Sequence, residues 1–363
     1  MKTYLSTLCI VALLFSSCDQ TTGTKENGSL IANKTISYIN APGSGKQFAE
    51  RSPISLELTL RSVPEDLDSV IFYINGEIVY SSIERSEKYS FSYSDTLNQM
   101  GRRTFKTLLK TKGGTEEENS VSFAITSANE PVQYTYKINA TYPHDVQAYT
   151  QGLEFSNGSL FEGTGLDGRS ELRLVDRITG KVIKSVPVES NYFGEGITIM
   201  EDKIFQLTYR ARTGYVYDKK SFEKIREFNY ETEGWGMTND GQHLIYSDGT
   251  HQLYFLNPEN FQKIRTVEVY DNGGPQNYIN ELEYINGEIW ANIYQSDLII
   301  RIDPMSGRVT GKIDMRGLLA PEDLHPSIDV LNGIAYDKAA GKIYVTGKNY
   351  PKLWEVSILP KAQ

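Results

Sequence analysis

At 363 residues the chain is longer than one ordinary domain and implies two. Aromatic content of 11% with 24 Tyr, frequent Asn-Gly pairs and the absence of long apolar helical stripes favour an all-β protein. The net charge of -9 is spread along the sequence without blocks, which speaks for solubility and against nucleic acid as a partner.

Lys2, the apolar run Leu8 to Phe15 and Ser16-Ser17-Cys18 read as a signal peptide over residues 1–18, its apolar run too short to span a bilayer permanently. The pattern resembles a bacterial lipoprotein signal, in which Cys18 becomes the acylated first residue, although Phe15 stands where Leu is commoner. Removal of the signal takes Cys9 with it, so the exported protein has no disulfide and draws its stability from core size. The expectation is a monomer of the cell envelope that meets the membrane only through its lipid. Periplasmic and surface exposure both stay open.

Residues 19–34 are polar and lack hydrophobic periodicity, as a flexible tether does. Over residues 35–129 the pattern changes. Ile54 to Leu60 alternates apolar and polar, as a half-buried strand must. Ser69 to Ile74 and Glu77 to Tyr80 flank Asn75-Gly76, the strongest short hairpin signal. Further strands are expected at Tyr89 to Tyr93, Thr104 to Lys110 and Ser120 to Ile125. Short strands at this spacing suggest an immunoglobulin-like β-sandwich acting as a spacer or docking module.

Glu130-Pro131 marks the boundary to a second domain over residues 131–363. There a phrase recurs five times: Gln151-Gly152-Leu153, Glu195-Gly196-Ile197, Trp235-Gly236-Met237, Asn280-Glu281-Leu282 and Asn332-Gly333-Ile334. The intervals of roughly 40 to 50 residues are those of β-propeller blades. After the fourth copy the chain reads as a four-stranded meander: Glu281 to Ile285, Glu288 to Ile293, Leu298 to Asp303 and Arg308 to Ile313. The same plan fits Gly158 to Val188, Asp202 to Tyr230 and Gly241 to Val269. The last repeat holds only Ile334 to Tyr336, Lys342 to Thr346 and Leu353 to Ile358, and Val132 to Ala140 can supply its missing outer strand. Five blades then close without a long open edge. The expected fold is an all-β five-bladed β-propeller preceded by the sandwich.

Residues that start the innermost strands of a propeller gather at one mouth of its channel. Gln151, Glu195, Trp235, Asn280 and Asn332 would meet there, joined by Tyr209, Tyr294 and Lys348 from second-strand ends. One carboxylate, one ammonium, carboxamides and an aromatic wall suit a small polar ligand with an amine and an amide. The four His (His144, His243, His251, His325) are scattered, so no metal site is expected from them. Ser-His-Asp catalysis lacks a nucleophile elbow. Asp176, Asp218 and Asp303 recur before turns and read as turn formers, and His144 with Asp145 as a turn hydrogen bond. Glu162 is a candidate pocket carboxylate, whereas Asn332 reads as structural.

Six phrases in register carry a resemblance. They are His144-Asp145 with Ala148 to Leu153, Tyr192-Phe193-Gly194-Glu195-Gly196, Glu233-Gly234-Trp235-Gly236, Ile279 to Tyr284, Ala291-Asn292-Ile293-Tyr294, and Leu331 to Tyr336 through Val345-Thr346-Gly347-Lys348. From about residue 133 to 358 the chain resembles the plant and bacterial type of glutaminyl cyclase, a five-bladed propeller that is not zinc-dependent. The resemblance implies conversion of an amino-terminal glutamine of peptides or proteins to pyroglutamate, with release of ammonia. It implies Glu195 as proton shuttle, Asn280 and Lys348 as polar partners of the reacting groups, and Gln151 nearby. Tyr149, Tyr209, Trp235 and Tyr294 would form the aromatic pocket, Tyr209 and Tyr294 standing where plant members usually have Trp. It implies no catalytic cofactor; a structural calcium held by backbone oxygens in the channel is also compatible with the family.

The chemistry suits these residue types. The α-amine must be neutral to attack its own γ-carboxamide, and the departing nitrogen must gain a proton; one carboxylate can accept the first proton and deliver it to the second site. Lys348 and Asn280 could orient the carboxamide and stabilise the oxyanion, with the division between them left open. Closure of a five-membered ring gains from a substrate held folded against the aromatic wall. The alternative is a non-catalytic surface propeller that binds a peptide or glycan.

Overall fold

The computed structural model describes residues 35–361, in strands, turns and loops apart from a short 3-10 turn at Pro321–Asp323. The signal peptide, Cys18 and the tether expected before residue 35 lie outside the described residues. Among the described residues no helix is long and apolar enough to cross a membrane.

The amino-terminal part is two β-sheets. One orders the strands Ser37–Ala41, Pro53–Leu60 and Lys88–Ser94; the other orders Gln47–Ala49, Glu116–Thr126, Gly101–Thr111, Leu67–Ile74 and Glu77–Ser82. Alternation along Pro53–Leu60 turns Ile54, Leu56, Leu58 and Leu60 inward, where they share a core with Phe72, Phe105, Leu109 and Phe123. Each such side chain contributes about 1.5–3 kcal/mol by leaving water. Asn75 and Gly76 take φ of 49° and 90°, the paired left-handed turn that closes a two-residue hairpin. The short strands Ser37–Ala41 and Gln47–Ala49 have no periodicity long enough to read from sequence. They are held by pairing, the first antiparallel to Pro53–Leu60 and the second parallel to Glu116–Thr126.

Four-stranded antiparallel meanders follow. The first is Thr150–Ser156, Ser159–Thr164, Glu171–Val175 and Val182–Pro187. The second is Gly194–Met200, Lys203–Thr208, Thr213–Asp218 and Lys224–Asn229. Met237–Asn239, Leu244–Ser247, Gln252–Leu256 and Lys263–Glu268 make the third, and Ile279–Ile285, Glu288–Ile293, Leu298–Ile302 and Val309–Asp314 the fourth. The fifth has Leu331–Asp337, Lys342–Gly347 and Lys352–Pro360, and its outer strand is Val132–Pro143. The start of that strand also pairs parallel with the outer strand of the fourth, so the last two meanders merge into one eight-stranded sheet. The first strands stand side by side in a closed circle, a propeller-like all-β arrangement.

The recurring phrase has a physical reason at its second position. A Cβ at Gly152 would lie 2.4 Å from Ile197 N, one at Gly196 2.5 Å from Met237 N, and one at Gly236 2.0 Å from Asn280 O. Glycine is what lets neighbouring first strands touch. In the fourth copy Glu281 replaces it, and its carboxylate accepts hydrogen bonds from Leu153 N (3.2 Å) and Ile334 N (2.9 Å), tying the first and fifth meanders together. In four copies the strand pairing skips at the phrase, a bulge that re-aims side chains off the sheet face.

The amino-terminal sheets are joined to the meanders by several contacts. Met100 N donates to Ser306 O at 2.8 Å, Arg308 pairs with Glu50 at 2.5 Å, and Tyr270 packs into the amino-terminal core. The described residues from Ile36 onward form one compact unit.

Candidate active site

The bulges aim Gln151, Glu195 and Asn280 into one cavity of about 180 Å³, lined further by Tyr149, Phe193, Tyr209, Trp235, Tyr294 and Lys348. Tyr209, Tyr294 and Lys348 each follow the last residue of a second strand. There the backbone ladder makes one more bond beyond the bulge: Tyr209 N to Phe193 O (3.0 Å), Tyr294 N to Tyr278 O (2.9 Å) and Lys348 N to Val330 O (2.9 Å). That shared register sends three side chains from three meanders to the same place.

Five aromatic rings form a collar. Tyr149 meets Phe193 at 6.2 Å between ring centres, Phe193 meets Tyr209 at 6.0 Å, Tyr209 meets Trp235 at 6.3 Å and Trp235 meets Tyr294 at 5.5 Å, all edge to face. Lys348 closes the circle, its Nζ lying 4.9 Å from the Tyr149 ring centre and 5.3 Å from that of Tyr294. Trp235 lies against Gly249, where a Cβ would come within 2.6 Å of the indole, and its Nε1 donates to Glu233 at 3.2 Å. Inside the collar Gln151, Glu195, Asn280 and Lys348 are only 2–5% exposed.

Burial acts in opposite directions on the two ionisable groups. It pushes the Glu195 carboxyl well above the usual carboxylate range, with Lys348 opposing and Glu233 adding to the rise. It pulls the Lys348 ammonium below the usual lysine value, against the pull of Glu195 and Asp329. A base and an acid whose proton affinities are drawn toward each other exchange a proton with a bound substrate more readily than the free groups would. The Asn280 Oδ1 is buried without a hydrogen-bond partner, an acceptor left free for a ligand N–H.

Eight of the ten candidate pocket residues share one cavity: Tyr149, Gln151, Glu195, Tyr209, Trp235, Asn280, Tyr294 and Lys348. Phe193 lines it as well and went unselected, although it stands two residues before Glu195 as Tyr149 stands before Gln151. Asn332 is elsewhere: its Nδ2 donates to Thr150 O at 2.9 Å and to Gln151 Oε1 at 3.4 Å, steadying Gln151 from behind. Glu162 is not a pocket carboxylate. It is buried and bonded to His144 Nε2 (2.9 Å) and Thr150 Oγ1 (2.7 Å), with Arg173 at 3.9 Å, because its strand faces the neighbouring loop. His144 does more than close a turn, since its Nδ1 also reaches Tyr350 O at 2.7 Å. Asp145 accepts the turn bond from Gln147 N at 2.9 Å. Asp176, Asp218 and Asp303 each accept two backbone N–H groups, as turn formers do. Among the described residues, no group of three or more His, Cys, Asp or Glu could hold a metal ion.

The glutamine cyclotransferase family model matches residues 109–358. This chain belongs to that family. The match begins inside the strand Gly101–Thr111, earlier than the resemblance read from the repeats. A glutaminyl-peptide cyclotransferase of Arabidopsis thaliana is 42% identical over 243 residues, 64% of this chain and 75% of that protein. The crystal structure of Myxococcus xanthus glutaminyl cyclase superposes with a TM-score of 0.61 at 35% identity, over 64% of this chain and all of that one.

Proposed function

We propose that this chain is a glutaminyl-peptide cyclotransferase, which closes the amino-terminal glutamine of peptides or proteins to pyroglutamate and releases ammonia. The observation that carries this reading is the collar of five rings closed by Lys348 above a buried carboxyl and an unpaired carboxamide oxygen. Glu195 takes the proton that the α-amine loses as its nitrogen attacks the side-chain carbonyl carbon, and returns it to the departing nitrogen as the C–N bond breaks. Lys348 faces the developing oxyanion and Asn280 Oδ1 accepts from the substrate nitrogen. Gln151 orients the carboxamide. Tyr149, Phe193, Tyr209, Trp235 and Tyr294 hold the side chain folded and exclude water.

The finer architecture belongs to the same proposal: a five-bladed β-propeller over 131–363 carries the site, and residues 35–129 form an immunoglobulin-like sandwich that spaces it from the membrane. Residues 1–18 are read as a lipoprotein signal, 19–34 as a tether and Cys18 as the lipidated residue, which gives a monomer anchored in the cell envelope. A structural calcium would need about six to eight oxygen ligands. Glu281 and Glu283 are buried and Glu154 is half-buried; Glu281 accepts backbone N–H groups from Leu153 and Ile334, Glu154 one from Ile199 and Glu283 one from Tyr336. Among the described residues no three acidic or histidine side chains converge to hold a metal ion, and no step is routed through one.

The test is selectivity for the free amine. Protein beginning at residue 19 releases ammonia from a glutaminyl dipeptide and none from its N-acetylated form. Equal release from both, or release from neither, overturns the reading.

A further inference from the structure

Asp329 stands outside the cavity lining, on the loop ahead of the strand Leu331–Asp337, and takes no part in the chemistry above. Three contacts tie it to Lys348. Its carboxylate accepts a 2.6 Å hydrogen bond from the Tyr149 hydroxyl. The ring so held is one of the two aromatic faces beneath Lys348 Nζ, at 4.9 Å. The Asp329 backbone N–H donates to Lys348 O at 3.2 Å, and the next residue, Val330, accepts from Lys348 N at 2.9 Å, so loop and lysine are one backbone unit.

We propose that Asp329 is a positioning residue for the reaction: it pins Tyr149 beneath Lys348 and supplies the negative charge that keeps Lys348 cationic while Glu195 holds the proton taken from the substrate amine. The proposal rests on Glu195 as the proton shuttle. The groups facing Lys348 are Glu195 from the second meander, Asp329 from the loop before the fifth, and the neutral phenols Tyr149 and Tyr294. Burial draws the lysine toward its neutral form, and the two carboxylates oppose it. Once Glu195 has accepted a proton it is neutral, and Asp329 alone opposes burial. The oxyanion develops at that same stage, so the ammonium is needed most when its stronger counter-charge has gone. Tyr149 stays a donor throughout, because burial and then the Asp329 hydrogen bond raise its pKa far above that of an ordinary phenol. Asp329 is exposed, so salt weakens its pull.

The experiment follows the alkaline limb of kcat on a glutaminyl dipeptide in wild type, Asp329→Asn and Tyr149→Phe. In parallel, the ionisation of Lys348 is read without substrate from the pH dependence of its acetylation by acetic anhydride. Asp329→Asn moves both the limb and the lysine pKa down by roughly half a unit to one unit, and the shift shrinks at high salt. Tyr149→Phe keeps the charge and lowers kcat without displacing the limb. A limb and a lysine pKa that stay put in Asp329→Asn overturn the proposal while leaving the cyclase reading intact. A wild type that releases no ammonia overturns both.

Discussion

Replacing Glu195 by Gln removes the proton carrier while preserving the shape of the cavity. No second carboxylate lines that cavity. The nearest one named by its effect on Glu195 is Glu233, which accepts from Trp235 Nε1 at 3.2 Å and pairs with Arg210 at 3.4 Å, so it has no free route to the reacting atoms. Loss of a positioned acid and base costs about 10²–10⁴ in kcat, or roughly 3–5 kcal/mol of barrier. KM should change little, since the collar and Lys348 remain. Stability should rise. The folded-state pKa of Glu195 lies above its unfolded value, so its favourable contribution is complete below about pH 4.5 and is lost as pH rises through the folded pKa. Glu195→Gln therefore melts above wild type at pH 8, with a gap that closes toward pH 5. Ammonia release with saturating dipeptide, alongside thermal melts at both pH values, reads each effect. Turnover within tenfold of wild type would refute Glu195 as the shuttle.

Three further outcomes follow from the same geometry. The kcat profile is a bell with an acid limb above the ordinary carboxylate range, because Glu195 must be ionised to accept a proton, and an alkaline limb below the ordinary lysine range; an acid limb near pH 4.5 would count against burial of the base. Glu154 is raised to about 8 by burial and accepts from Ile199 N, a bond that a Gln oxygen can also accept. Stability lost by ionising it as pH rises from 4.5 through 8 is absent in Glu154→Gln, so that variant gains on the order of 1–3 kcal/mol over wild type at pH 9 and less at pH 6, measured by denaturant melts. Gly196→Ala places a Cβ 2.5 Å from Met237 N and 2.7 Å from Trp235 O, which parts two first strands; it should cost roughly 2–4 kcal/mol and lower kcat through Glu195 and Trp235. Wild-type melting in that variant would show that the strands can separate freely.

The repeat phrase made the meanders legible because its glycines answer one steric demand, the touch of neighbouring first strands. The same register named seven residues of the cavity, because equivalent positions on first strands and at second-strand ends point one way; Tyr149 came from the family resemblance alone. It gave no role to Glu281, which stands where the other copies have glycine. The Glu281 carboxylate reaches across to Leu153 and Ile334, a long-range bond that no local pattern announces. Glu162 looked like a pocket acid for the converse reason: period two gives the face of a strand, and its partners His144 and Arg173 come from other segments. Asp329 lies on an irregular loop without a period, so only coordinates could connect it with Tyr149.

The most direct measurement follows an intact glutaminyl peptide by mass spectrometry together with released ammonia, in the presence of a strong chelator. The account predicts one ammonia for each pyroglutamyl peptide formed, at a rate the chelator does not change. Absence of the cyclised peptide, or activity lost to the chelator and restored by zinc, would contradict it.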